Sequence, residues 1–319
     1  MFLNNNTAPP YQVIEAPLGA LTFSAPFFLQ PAFLYRTPHS ALVTFQLWGS
    51  DSTRLLACVS FVLENNTAIS LPSAPFGSFY GEGNLTAQAS MFFVKEIKAL
   101  LSKKSCKEIT IKHYPACYGK SIHDLFVDAM LKEGFEISCQ ELNQYIVVSD
   151  QPFSEGLHDS ALRRLKKCHE AGFQISIEHE FKAEEWFDRI VRARKLKGHP
   201  LTIDLESLKM INAVNSLLYN FVSVHDKGKI IASAIAIEVM PDVLYYYLPA
   251  DEEAYLQYSP MIMLVEALYN FALQKNMRIV DLGISSSGGV INEGLRNFKN
   301  NLGAREELKL VLISSLSHV

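Results

Sequence analysis

The sequence predicts a mixed α/β protein of two similar units, each a mostly antiparallel mixed sheet flanked by helices. Three observations predict it. The order strand, strand, strand, helix, strand, helix, strand occurs twice along the chain. The helices that match between the two copies begin about 174 residues apart, at Thr86 and Pro260. The 319 residues are 49% apolar, enough for a core in each of two domains of roughly 150 residues.

In the first unit, Ala41 to Trp48 and Arg54 to Leu63 read as a hairpin around Gly49-Ser50-Asp51-Ser52, and Ala68 to Leu71 as a third strand. A helix from Thr86 to Ser102 leads to a strand from Glu108 to Lys112. A second helix, Ser121 to Lys132, stops at Gly134, and a strand from Phe135 to Val148 closes the unit. Between the units, His158 to Ala171 reads as a basic amphipathic helix with Leu162, Leu165 and Cys168 on one face. Two further helices, Ala183 to Lys197 and Asp204 to Asn215, are separated by Pro200.

The second unit begins with strands at Phe221 to His225, Ile230 to Val239 and the tyrosine-rich Val243 to Leu248, the first two joined by Asp226-Lys227-Gly228-Lys229. Ser259 as N-cap and Pro260 at the first helical position open a helix with Met261, Leu264, Val265, Leu268 and Phe271 on its stripe. Arg278 to Leu282 is a short buried strand. Asn292 caps a helix to Asn301, closed by Gly303, and Glu307 to Ile313 is the last strand. The expected domains are 1–155 and 156–319.

Composition narrows the function. High apolar and low charged content (19%) exclude intrinsic disorder. The net charge of −4 is spread evenly over both halves and does not single out nucleic acid. No run of about 18 apolar residues suggests a membrane span, and Met1 to Pro10 does not read as a secretory signal. Five cysteines at long spacings, with no C-x-x-C, point to free thiols, a reducing cytoplasmic setting and no zinc or other metal.

Four stretches carry a resemblance: Leu71-Pro72-Ser73-Ala74-Pro75-Phe76-Gly77-Ser78; the basic helix from Ala161 ending in Ala171-Gly172-Phe173; Ser259-Pro260-Met261-Ile262-Met263-Leu264; and Asp281-Leu282-Gly283, followed by Gly294-Leu295-Arg296-Asn297-Phe298-Lys299 and Leu302-Gly303-Ala304. In this order they resemble the FemAB-like branch of the GNAT N-acyltransferases, which carries two GNAT-like domains in one chain. The resemblance implies transfer of an acyl or aminoacyl group to an amine. The donor would be acyl-CoA as a co-substrate, with no tightly bound cofactor, or aminoacyl-tRNA in a transferase acting on a cell-wall precursor. A non-catalytic ligand-binding relative is the third reading.

The resemblance also assigns residues. Phe298 and Lys299 would lie at the reacting acyl end, Lys299 steadying the oxyanion. Tyr258, Ser259, Met261 and Ile262 at the helix start, with Asn292, would hold the donor, although Tyr255-Leu256-Gln257-Tyr258 lacks the family's glycine-rich pyrophosphate loop. Phe76, Gly77 and Tyr80 would line an acceptor groove between the domains. From the residues themselves, Glu238 alternates with Ala232, Ala234 and Ala236 on one strand face and is a candidate general base. Of the tyrosine strand, at most one of two sets, Tyr246 or the pair Tyr245 and Tyr247, faces the substrate, and Tyr246 is the candidate. Asp281, Gly283 and Ser285 begin a polar loop at a strand's C-terminal end, with a backbone nest suited to acceptor hydroxyls or phosphates. The basic clusters at Arg163 to Lys167 and Arg189 to Lys197 are interspersed with acids, which disfavours tRNA as a partner.

Overall fold

The computed structural model of the chain describes residues 10–16, 25–34, 41–49, 54–72, 74–198, 201, 203–214 and 218–316. Ser50, Asp51, Ser52, Ser73, Pro200 and Asn215, named in the sequence expectations, lie outside the described residues. The chain divides into two compact units, one formed by residues 1–140 and 309–319 and the other by residues 141–308.

The first unit holds β1 (Tyr11–Glu15), a short α1 (Pro31–Leu34), β2 (Leu42–Gly49), β3 (Leu55–Glu64), β4 (Thr67–Ile69), β5 (Tyr80–Gly81), α2 (Ala87–Lys103), β6 (Glu108–Lys112), α3 (Lys120–Lys132) and the start of β7 (Glu136–Val147). Strands β1 to β4 pair antiparallel in sequence order, and β4 pairs parallel with β6. The strand expected from Ala68 to Leu71 ends at Ile69, because Leu71 takes a left-handed backbone with φ 45°. Thr86 caps α2 by accepting the Ala89 N–H. Helix α2 buries Phe93, Ile97 and Leu101, the four-residue spacing of one helical stripe.

The core of this unit is aromatic. The Phe79 ring stacks on Phe126 and meets Phe61 and Phe93 edge-on. Phe76 packs edge-on against Phe28, Tyr114 and Tyr118. At the end of β6, Ser78 Oγ lies 2.6 Å from His113 Nδ1, and the His113 ring packs on His123, whose Nδ1 meets Asp124 Oδ1 at 3.0 Å. Burial pushes both imidazoles below their usual range.

The second unit holds α4 (Asp159–Glu170), β8 (Gln174–Glu178), α5 (Ala183–Leu196), α6 (Leu205–Val214), β9 (Tyr219–Asp226), β10 (Lys229–Met240), β11 (Val243–Asp251), α7 (Pro260–Gln274), β12 (Ile279–Ile284), the two-residue strands β13 (Ser286–Ser287) and β14 (Val290–Ile291), α8 (Glu293–Asn301) and the start of β15 (Arg305–Ser315). Its sheet runs in the order β7, β12, β11, β10, β9, β8, with β11 and β12 parallel and the other neighbours antiparallel. Helix α7 lies on one face. Its Leu264, Val265, Leu268 and Ala272 share a buried cluster with Ala232, Ala234 and Ala236 of β10, Leu244 of β11 and Val280 of β12. The alanine row leaves room for the helix to approach closely.

The boundary expected at 155 moves, because two strands each serve both units in turn. The end of β7 pairs with β12 in the second unit, through Tyr145, Ile146 and Val147. The end of β15, Val311 to Ser315, pairs with β6 in the first unit. Pairing between strands so distant in sequence is not written in the local pattern.

Gly303 follows α8 with φ 78°, and a Cβ there would stand 2.5 Å from the Gly156 carbonyl oxygen. Both the backbone angle and the close approach require glycine. Gly303→Ala is expected to lower stability by about 1–3 kcal/mol, read as a reduced denaturation midpoint.

Candidate active site in the second unit

The parallel ladder between β11 and β12 ends at the pair Tyr245 and Asp281. Beyond it the register of β12 with β7 is irregular up to Ile284 opposite Asn143, with Gly283 at φ 74°. A Cβ on Gly283 would stand 3.4 Å from the Tyr245 hydroxyl, close to ordinary contact, so it is the left-handed backbone that favours glycine there. The buried Asp281 carboxylate accepts the Asn143 amide at 3.1 Å and the Gly283 N–H at 2.8 Å.

Lys299 approaches from α8 and is the buried residue of that helix. Its Nζ donates to the carbonyl oxygens of Gly283 at 2.8 Å and Ile284 at 3.0 Å. An ammonium has three N–H groups, and the third has no partner among the described residues. Burial brings the Lys299 pKa down to about 7, partly countered by the Asp281 charge. Helix α8 is aimed by Asn292, whose side chain accepts the Leu295 N–H at 3.0 Å as N-cap. The structure therefore brings Lys299, Asp281 and Gly283 together, with Asn292 setting the helix that carries Lys299.

The other expected residues separate from this group. Glu238 pairs with Leu244 in the sheet register, whereas Asp281 is level with Tyr245, so Glu238 and Asp281 point to opposite faces. The Glu238 carboxylate instead meets Lys275 just past the C-terminal end of α7, at 3.4 Å, and accepts the Asn220 amide. Ser259 stands at the other end of that fifteen-residue helix, roughly 22 Å away at 1.5 Å per residue. Tyr246 lies in the core beneath α7, and Tyr245 and Tyr247 take the Asp281 face. Ser285 is buried, donating its hydroxyl to Gln144 at 2.5 Å.

The backbone nest expected to take phosphate already holds a carboxylate. Glu141 accepts the Ser286 hydroxyl at 2.5 Å and the Gly288 N–H at 2.8 Å.

At the start of α7, Ser259 does not cap. It sits in the left-handed region at φ 54°, not in the extended region of a capping residue, and makes no capping bond. Its hydroxyl accepts from Arg164 of α4 at 2.9 Å. Lys167 lies 4.5 Å from the Tyr258 ring centre, and the Cys168 thiol donates to the Tyr258 carbonyl at 3.3 Å. Two cations thus stand where the helix exposes its first N–H groups. Met261 and Ile262 point into the core, and Phe298 packs partly buried against it. In the first unit, Phe76, Gly77 and Tyr80 are buried, with Phe76 and Tyr80 in the aromatic core around Tyr114.

Sequence reading missed Asn143 and Gln144, both buried. Asn143 holds Asp281, and Gln144 donates to the Arg296 carbonyl at 3.2 Å and Asn300 Oδ1 at 2.6 Å. Two adjacent amides inside an otherwise apolar strand end were the available signal, since buried amides need partners.

Residues 158–300 match the family model of the acetyltransferase (GNAT) domain, a span wholly inside the second unit. No curated protein matches the sequence significantly. Among solved structures, the chain is similar to FemX, with a TM-score of 0.67 at 9% identity over 92% of this chain and 93% of that one. It is also similar to L-PGS from Bacillus licheniformis, with a TM-score of 0.57 at 10% identity over 85% and 84% of the two chains. A tandem GNAT protein from the clavulanic acid biosynthesis pathway gives 0.52 at 10% identity over 90% and 87%. The second unit thus carries a span that matches the acetyltransferase (GNAT) domain, and the chain is similar in fold to FemX, L-PGS and the tandem GNAT protein.

Proposed function

We propose that the chain moves an acyl group from acyl-CoA to an amine by direct attack, with the reaction at Lys299. The observation that carries this reading is a buried lysine with two N–H groups fixed on backbone carbonyls and a third unspent. Those carbonyls and Asp281 favour the ammonium form, the state that steadies negative charge on an acyl oxygen. The amine nitrogen attacks the acyl carbon, charge gathers on the oxygen beside the third N–H, and the bond to sulfur breaks. Solvent takes the amine's proton, since Glu238 stands on the opposite sheet face. The donor's phosphates would meet the start of α7, where Arg164 and Lys167 supply charge in place of a glycine loop.

The exposed basic side chains on α4, Arg163 and Lys166, favour a second reading with aminoacyl-tRNA as donor. A thermal-shift series with CoA and acyl-CoAs of increasing length separates the two. A donor at about 100 times its Kd adds about 2.7 kcal/mol of stability. A peak at one chain length supports acyl-CoA. No shift with any of them, together with steeply salt-dependent tRNA binding, supports the second reading.

Lys299→Met is expected to lower kcat by roughly a hundred- to a thousandfold, the range for loss of one oxyanion donor, while the folded state persists. If Lys299 works as a cation, wild-type kcat falls as pH rises through about 7, and a rise would assign it the part of base instead.

The same burial makes a stability prediction. Between pH 7 and about 10 the unfolded chain keeps the Lys299 proton that the folded chain has lost, so wild-type stability gains with pH from this residue. Denaturant midpoints at pH 7 and 9.5 should show that increment in wild type and lack it in Lys299→Met.

A further inference from the structure

The sheet face of the second unit turned away from α7 carries Tyr245 and Tyr247, their rings 6.0 Å apart and tilted by 30°. Helix α5 packs on β11, which bears them. The basic side chains of α5 and its C-cap differ in what they meet. Arg189 and Arg192 share Glu252, and Lys197 pairs with Asp251. Arg189 and Arg192 also line a cavity of about 150 Å³ over Ser233 and Ala250, in which Asp251, Glu252 and Glu253 balance their charge. Lys195 is exposed.

Arg194 has neither arrangement. It is half-buried, four residues from the buried Ile190 on the inward stripe of α5, and makes no ion pair or hydrogen bond among the described residues. Its charge acts on the Tyr245 hydroxyl, where that of Asp281 acts as well, and on that of Tyr246. A guanidinium drawn out of water without a counter-charge costs stability. Its planar fork matches a carboxylate or phosphate bidentately and stacks on aromatic rings.

We propose that Arg194 binds an anionic group on the acceptor amine, so that the acceptor runs from Arg194 along Tyr247 and Tyr245 to the reacting end at Lys299. The substrate class is then an amine that also bears a carboxylate or phosphate ester, and the inference rests on the acyl-transfer reading above.

Ligand-observed NMR tests it on the whole chain. The probes are n-alkylamines, ω-amino acids of matched length from glycine to 6-aminohexanoate, and phosphoethanolamine, each up to 10 mM. Wild type should bind an anionic amine at least about tenfold more tightly than the matched alkylamine, the scale of one charged hydrogen-bonded pair. Arg194→Gln should bring the two to parity, and Arg194→Lys should restore part of the preference. A carboxylate or phosphate source is told by which anionic arm binds more tightly. Equal binding of charged and neutral amines by wild type, a preference that survives Arg194→Gln, or no binding of any probe would overturn the proposal. Preferential binding without transfer from any acyl donor would instead overturn the acyl-transfer reading. Transfer in which Arg194→Gln slows neutral and anionic amines alike would overturn only the assignment of Arg194.

Discussion

The parallel pairing of β11 and β12 stops at Tyr245 and Asp281, and the chemistry of the second unit hangs on that stop. Up to Asp281, β12 is paired on both sides, with β11 and with β7. Past Asp281 no residue of β12 is in register with β11, the register with β7 is irregular up to Ile284, and the Gly283 and Ile284 carbonyls lie beyond the β11 ladder. These are the oxygens that accept Lys299. The Gly283 N–H turns back onto Asp281, so one bend fixes both the carboxylate and the two acceptors of the lysine. A side chain at residue 283 would strain the left-handed backbone on which they depend.

The sheet then sorts side chains by parity. On the α7 face, alanines and aliphatic residues pack with Tyr246 among them, and at the rim Glu238 is met by Lys275 and Asn220. The opposite face takes Asp281, Tyr245 and Tyr247 under α5. Burying Lys299 costs the fold stability that a methionine there would not, and only a surrounding structure that over-determines the site can hold it. Glu141 shows the same economy in reverse. Its carboxylate organises the Ser286 to Gly289 turn by accepting hydroxyl and backbone donors that would otherwise face solvent.

Much of this was legible in the sequence. The doubled order of elements follows from hydrophobic period and turn residues, which act locally. Lys299, Asp281 and Gly283, which the structure brings together, belong to a motif whose residues lie close along the chain. Glu238 and Tyr246 were misplaced for one reason: alternation says which residues share a face, and not which face a helix covers. Ser259 was misread because its backbone is left-handed and its hydroxyl meets Arg164 of α4, a partner that the local pattern does not show. Asn143, Gln144 and Glu141 lie more than 130 residues from the groups they hold, and no local pattern links them. The division between units was hidden likewise, because strand exchange is a matter of partners.

That exchange has a consequence for synthesis. Residues 141–308 emerge as one continuous stretch and have every element of their unit once Leu308 has left the ribosome. The first unit, though it begins earlier, lacks the strand that runs beside β6 until Val311 to Ser315 arrive. The N-terminal half, first to be made, is thus the last to be complete, and its sheet edge along β6 stays open until the final strand is in place.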